Sequence, residues 1–239
     1  MSHVAGVDGC RAGWIAAVRR AGADGSDAEF RLCRSFVEVV ALANEASVVA
    51  LDMPIGLLGA AERGGRPCDR AARKLLGRPR ASSVFLPPVR SALTMADDYR
   101  RALAANRASS HARVGISKQC FALFPKLREV DTAMTPALQA HIREAHPELA
   151  FLAIAGTPAR HPKRRAVGRA ERIALLRETG LVVAAERIAD FRGRGWGNDD
   201  VIDALALTWT AERILAGTAL RLPDPPHRDA CGLAMEIWA

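Results

Sequence analysis

Several carboxylates in this chain stand where a carboxylate is costly. Asp8 lies at the end of the apolar run His3-Val4-Ala5-Gly6-Val7, and Asp52 ends Ser47-Val48-Val49-Ala50-Leu51. Asp199, Asp200 and Asp203 fall within Asn198-Asp199-Asp200-Val201-Ile202-Asp203-Ala204-Leu205-Ala206-Leu207. On a helix Asp203 stacks with Asp199 (i, i+4) and Asp200 (i, i+3), so three acids share a face. The helix dipole accounts for Asp199 and Asp200 in a first turn. It does not account for Asp203, which sits among apolar neighbours. A carboxylate in such surroundings is expensive unless a metal, a cation or hydrogen-bond donors compensate it. An all-oxygen ligand set suits a hard divalent ion, Mg²⁺ or Mn²⁺. The sequence His146-Pro147-Glu148 offers Glu148 as a further carboxylate, against the plainer expectation of an exposed glutamate. A two-metal centre uses a shared carboxylate and flanking ones to hold its ions about 3.5–4 Å apart, and suits in-line hydrolysis of a phosphodiester. For Asp8 the competing plain reading is a turn residue, since Asp-Gly is a common hairpin signal.

The elements that must position these groups follow from periodicity and punctuation. His3 to Asp8 and Trp14 to Val18 read as two strands joined by a Gly-flanked hairpin, with Asp8 where the first strand stops, and Ala28 to Arg34 as a third, antiparallel strand. Ser35 precedes an apolar helix over Phe36 to Leu42. The run Ser47 to Asp52, stopped by Met53-Pro54-Ile55-Gly56, has the pattern of a buried parallel strand. These elements belong to one mixed sheet, and if Asp8 and Asp52 end neighbouring strands their carboxylates lie close together. Ile142 to Phe151 reads as another strand with an irregularity at Pro147. Gly168 to Thr179 reads as an amphipathic helix closed by Gly180. Gly193 to Gly197 reads as a flexible approach to the last helix, capped by Asn198 and closed by Gly217. Cys231 to Trp238 reads as a final edge strand.

Residues 57–135 read as a basic, mainly helical insertion within one domain spanning 1–239. Helices are expected over Cys68 to Leu76, Met95 to Ala108 and Lys118 to Val130, with Ser117 as cap and a kink or end at Pro125. The helix start at Ser117-Lys118-Gln119 would cradle an anion.

Bulk composition narrows the classes. Hydrophobic residues make up 49% and charged residues 25% of the 239, ordinary values for a globular chain. No apolar run is long enough to span a membrane, and the first residues lack a basic-then-apolar leader. The cysteines Cys10, Cys33, Cys68, Cys120 and Cys231 are scattered, with no C-x-x-C pair. That favours free thiols, a cytoplasmic protein and no zinc site. The formal charge is +8. Between Arg63 and Arg128 fifteen Lys/Arg face three acids (Asp69, Asp97, Asp98), so the rest of the chain is net acidic. Thirty of the thirty-four basic residues are Arg, as a GC-rich genome would give, but such a bias would spread evenly. The concentration suits a polyanionic partner such as DNA or RNA.

The stretches GVDGCRAGW (6–14), ALDMPIGL (50–57), CDRAARKLLG (68–77), SSVFLPPVR (82–90), GISKQCFALFPKLREVD (115–131), EAHPELAF (144–151), GRAERIALL (168–176) and DDVIDALALTWTA (199–211) together resemble domain-of-unknown-function family 429. Its members are predicted ribonuclease-H-like nucleases. The resemblance implies an α/β fold with a mixed five-stranded sheet, the first three strands antiparallel, flanked by helices. It implies that Asp8 bridges two metals, that Asp52 matches the acid at the end of the fourth strand, and that Asp200 or Asp203 matches the acid on the final helix. Glu148 and Ser117-Lys118-Gln119 look like family motifs.

The resulting expectation is a Mg²⁺- or Mn²⁺-dependent nuclease. Asp8, Asp52, Asp200 and Asp203 are the expected metal ligands, and Glu148 joins them as a catalytic residue. Arg11, Arg90, Ser117 and Lys118 are the expected phosphate contacts. One alternative is a relative of the actin-like and sugar-kinase phosphotransferases, which would carry phosphate loops in two similar halves. This chain has one such half and neither G-x-x-x-x-G-K-[ST] nor G-x-G-x-x-G. Another is a nucleic-acid-binding protein without catalysis, which has no use for Asp203 on an apolar helix.

Overall fold

A computed structural model describes residues 2–22, 28–181 and 195–239. The chain divides into two compact units, the first Met1–Met53 with His141–Leu220 and Trp238–Ala239, the second Pro54–Ala140 with Arg221–Ile237.

The first unit is built on a five-stranded sheet of order β3-β2-β1-β4-β5, from β1 (His3–Cys10), β2 (Gly13–Arg20), β3 (Glu29–Cys33), β4 (Ala46–Leu51) and β5 (Ile142–Glu144). β1, β2 and β3 form an antiparallel meander, and β4 and β5 add in parallel to β1. This is the mixed sheet expected of a ribonuclease-H-like fold. Between β3 and β4 runs α1 (Phe36–Leu42), whose Phe36, Val39 and Leu42 are buried. Two more helices follow β5, α7 (Pro147–Ala155) and α8 (Ala166–Glu178), with the long α9 (Asn198–Leu215) nearer the C-terminus.

α9 lies directly on β1, and one residue permits it. A Cβ on Gly6 would come within 2.0 Å of the Ala204 carbonyl oxygen and 2.3 Å of the Thr208 nitrogen. Glycine alone lets the two backbones approach this closely. Side chains alternate along a strand, so Val4, Gly6 and Asp8 share the face of β1 that α9 covers. Val4 accordingly packs with Leu207 and Ala211. Ile15, Ala17, Phe151, Val201, Ile202 and Leu205 fill the rest of this side of the core.

The stretch over 142–151 is not one strand. β5 ends at Glu144 and Pro147 opens α7. Proline is pre-set for a first helical turn, and the His146 Nδ1 accepts the Glu148 N–H at 3.2 Å as the helix cap. A ten-residue stretch of mixed polarity with a proline at its middle leaves an irregular strand and a helix start hard to tell apart by periodicity. Gly193 of the expected flexible approach lies outside the described residues; Gly197, not Asn198, is the N-cap of α9.

In the second unit the helices are α2 (Pro67–Leu76), α3 (Arg90–Leu93), α4 (Tyr99–Ala108), α5 (Lys118–Ala122) and α6 (Phe124–Ala133). The expected helix over 118–130 breaks at Leu123, with Pro125 in the first turn of α6. A two-stranded sheet pairs β6 (Arg221–Arg228) with β7 (Ala234–Trp238). Ionic networks help hold this unit, two of them centred on Arg66 and Arg90. Arg66 is buried, bonded to Asp69 and to the carbonyls of Ile55 and Gly56. Arg90 bonds Asp131 and Asp229.

Candidate metal centre

The register of two parallel strands makes the first pair of acids. Val7 is opposite Leu51, and the Asp52 N–H donates to the Val7 carbonyl at 2.9 Å. Asp8 and Asp52 are therefore the next residues on neighbouring strands. Asp8 is two residues beyond Gly6 on the same face, and α9 passes over that face with Asp203 next to Ala204, the residue Gly6 touches. Asp8 is 7% and Asp203 1% exposed, while Asp52 is half-buried.

Their charges feel one another. Burial raises the pKa of Asp8 well above the usual carboxylate range, and the charges of Asp52, Asp203 and Asp200 push it further; Lys163 pulls the other way. Burial also raises Asp203, to about 6, against the pull of the Lys163 ammonium and with a further push from Asp52 and Glu148. Asp200 has a second duty, accepting the Gly197 N–H at 2.8 Å and so capping α9.

Glu148 belongs to this neighbourhood, and it is 6% exposed rather than on the surface. Its Oε1 meets Arg172 Nη2 at 2.5 Å, and its Oε2 is buried without a hydrogen-bond partner. A buried, orphaned carboxylate oxygen within the field of Asp203 is costly as it stands. The donors gathered here are all carboxylate oxygens, which is the chemistry a hard divalent cation takes. By chemistry Asp8, Asp52, Asp200 and Asp203 would suit such an ion; what links them is the charge each exerts on Asp8, and Glu148 joins through its charge on Asp203.

Lys163, singled out by nothing in its sequence context Pro162-Lys163-Arg164-Arg165, is a cation the fold brings to Asp203. Its Nζ is 2.5 Å from Asp203 Oδ2. Burial would lower its pKa, but Asp203, Asp8 and Asp52 more than reverse that and hold the ammonium firmly charged. The available signal was a lone lysine in a loop otherwise rich in arginine.

Of the expected phosphate contacts, Arg11 is exposed on the β1–β2 turn and lines a cavity of about 620 Å³ with Ala12, Trp196, Gly197 and Asp200. The Ala12 N–H donates to the Gly195 carbonyl at 3.0 Å, which ties the turn to the approach to α9. Arg90, Ser117 and Lys118 are in the second unit. There Arg90 is committed to Asp131 and Asp229, and the Ser117 hydroxyl accepts the Cys120 N–H as a helix cap. Lys118 is exposed in the first turn of α5.

Thiol chemistry has little support. Cys10, Cys33, Cys68 and Cys120 are buried and all five cysteines are free. Burial pushes Cys33 up to about 11 and Cys120 up to about 12, far from a reactive thiolate. No helix among the described residues is long and apolar enough to cross a membrane.

Compared with known proteins, the chain matches the family model described as a protein of unknown function (DUF429) over residues 6–228. No curated protein and no solved structure matches it.

Proposed function

We propose that this chain, which belongs to the DUF429 family, is a metal-dependent phosphodiesterase acting on nucleic acid. The observation that carries the reading is that Asp8, at one strand end, is buried within the charge of Asp52 at a neighbouring strand end and of Asp200 and Asp203 on one helix, while Asp203 feels Glu148, one of whose oxygens is buried without a partner. Asp200 caps α9 and Asp203 pairs with Lys163, but these partners leave a cost. Burying Asp8 and Asp203 together raises both pKa values, which is a cost to the fold, and a divalent cation would remove it.

The chain's own residues divide the work. Asp8, Asp52, Asp200 and Asp203 would hold Mg²⁺ or Mn²⁺. When bound, such an ion lowers the pKa of an attacking water and neutralises charge on phosphate oxygens. Arg172 fixes Glu148 by one oxygen and leaves the other available to accept a hydrogen bond or a proton. Arg11, exposed beside Asp200, would contact a phosphate flanking the scissile bond. Exposed basic residues of the second unit, Lys118 among them, would add sequence-independent affinity for the polyanion.

The test is the melting temperature with and without Mn²⁺, for wild type and Asp8→Asn, followed by hydrolysis assays on single- and double-stranded DNA and RNA. Mn²⁺ at about a hundred times its Kd stabilises wild type by about 2.7 kcal/mol. Asp8→Asn melts at or above wild type in chelator, loses the Mn²⁺ response and does not hydrolyse. An Asp8→Asn protein that melts lower and still responds to Mn²⁺ would make Asp8 structural and defeat the proposal.

A further inference from the structure

The loop that carries Lys163 is fixed on both flanks. The Arg160 and His161 N–H groups donate to Glu171 Oε1 and Oε2 at 2.8 and 2.9 Å. Arg172 Nη1 donates to the His161 carbonyl at 3.0 Å. The Pro162 carbonyl accepts the Arg165 N–H at 3.0 Å and packs so close to α8 that a Cβ on Gly168 would come within 2.1 Å of it. The backbone on either side of Lys163 is thus anchored to α8. The freedom left to this residue is in its four-carbon stem, and its side chain is 43% exposed while its partner Asp203 is 2% exposed. Lysine suits such a place, as a compact point charge on a flexible tether.

We propose that Lys163 is the acidic cluster's built-in counter-cation, and that a divalent ion entering the cluster exchanges with its ammonium at Asp203 Oδ2. This rests on the reading of the cluster as a Mg²⁺ or Mn²⁺ site. Oδ2 holds Nζ at 2.5 Å, and a metal on that oxygen would put two cations within about 4 Å of each other. At that distance like charges repel strongly in a partly desolvated site. The exposed side has room for the stem to swing outward, so the ammonium gives way while the loop stays in place. Lys163 is then a positioning residue. It holds Asp203 in its ligating direction and sets the metal affinity by competing for it. The released ammonium, still tethered beside the cluster, would meet a substrate phosphate.

The experiment uses the full chain without nucleic acid, titrated with Mn²⁺ or Mg²⁺ alone. Mn²⁺ affinity is measured calorimetrically for wild type and Lys163→Met. In parallel, wild type carrying isotope-labelled lysine is followed by NMR during Mg²⁺ addition, with the Lys163 ammonium signal assigned by its absence from the variant. Lys163→Met is expected to bind Mn²⁺ about tenfold more tightly. The Lys163 signal is expected to move to the position of a solvated lysine as Mg²⁺ fills the site. A merely structural ion pair would do neither. Measurable Mn²⁺ binding that is equal or weaker in Lys163→Met, or a Lys163 signal unmoved at saturating Mg²⁺, overturns the exchange and leaves the metal site standing. No binding by either protein at millimolar Mn²⁺ overturns both. Lys163→Arg, which keeps the positive charge, supplies the same NMR assignment if Lys163→Met folds poorly, so the NMR arm still decides the matter.

Discussion

Asp203 is a carboxyl group whose protonation is worth following by itself. Its pKa is raised to about 6 in the folded chain from an ordinary 3.8. Well below pH 4 it is protonated in both folded and unfolded chains and contributes no penalty. As pH rises toward 6 the unfolded chain releases this proton while the folded chain keeps it, so stability falls. Above pH 6 the full penalty of about 3 kcal/mol applies. In chelator, the melting temperature of wild type should therefore drop more between pH 4 and 6.5 than that of Asp203→Asn. Mn²⁺ at pH 7 should restore what the wild type lost. Equal pH profiles for the two proteins would mean that Asp203 ionises freely and that its burial carries no cost. Lys163 already offsets part of the penalty.

The decisive element is α9 against β1. A helix seated over a strand with the two backbones touching transmits position without slack, which is how Asp203 on one element comes to face Asp8 on another. Gly6→Ala would force a methyl to within 2.0 Å of a carbonyl oxygen on α9. Neither backbone can yield without unseating the core, and the cost should exceed about 4 kcal/mol. The expected outcome is a chain that unfolds without a cooperative transition or accumulates insoluble; a soluble Gly6→Ala protein melting within a few degrees of wild type would show that the two elements are seated more loosely. α7 and α8 are joined more forgivingly, through Arg172. That side chain is fully buried and spans Glu148, the His161 carbonyl and the Gly168 carbonyl. Glu148 and the Lys163 loop thereby depend on one guanidinium.

Taken over the whole molecule, charge is sorted between the two units. The first unit collects the acidic cluster, and the second holds the basic run from Arg63 to Arg128. Much of that run is exposed, including Arg100, Arg101 and Arg107 on α4. If these three neutralise phosphates, replacing them with alanine should weaken binding to DNA and RNA of any sequence. The slope of log affinity against log salt should shrink by roughly 0.9 for each duplex phosphate left without its arginine. Anisotropy measured from low to physiological salt would read this directly. An unchanged slope would remove α4 from the nucleic-acid surface.

Local chemistry already specified much of this protein. The strands through Asp8 and Asp52 were legible because apolar runs ending in Asp and Gly have few other conformations. The last helix was legible because Asp203 broke an otherwise apolar stretch at helical spacing from Asp199 and Asp200. Short-range signals failed where two conformations cost nearly the same. His146-Pro147-Glu148 could sit in an irregular strand or open a helix, and the cap from His146 decides for the helix. The β6 strand, Arg-Leu-Pro-Asp-Pro-Pro-His-Arg, carries three prolines and no strand pattern, so only its pairing with β7 reveals it. Tertiary structure alone decided that Glu148 is buried against Arg172, that Arg90 belongs to Asp131 and Asp229, and that one lysine in a basic loop reaches Asp203. Those are meetings between residues far apart in the chain. Periodicity carries no record of them, because it reports which face a residue takes and not what will be packed against it.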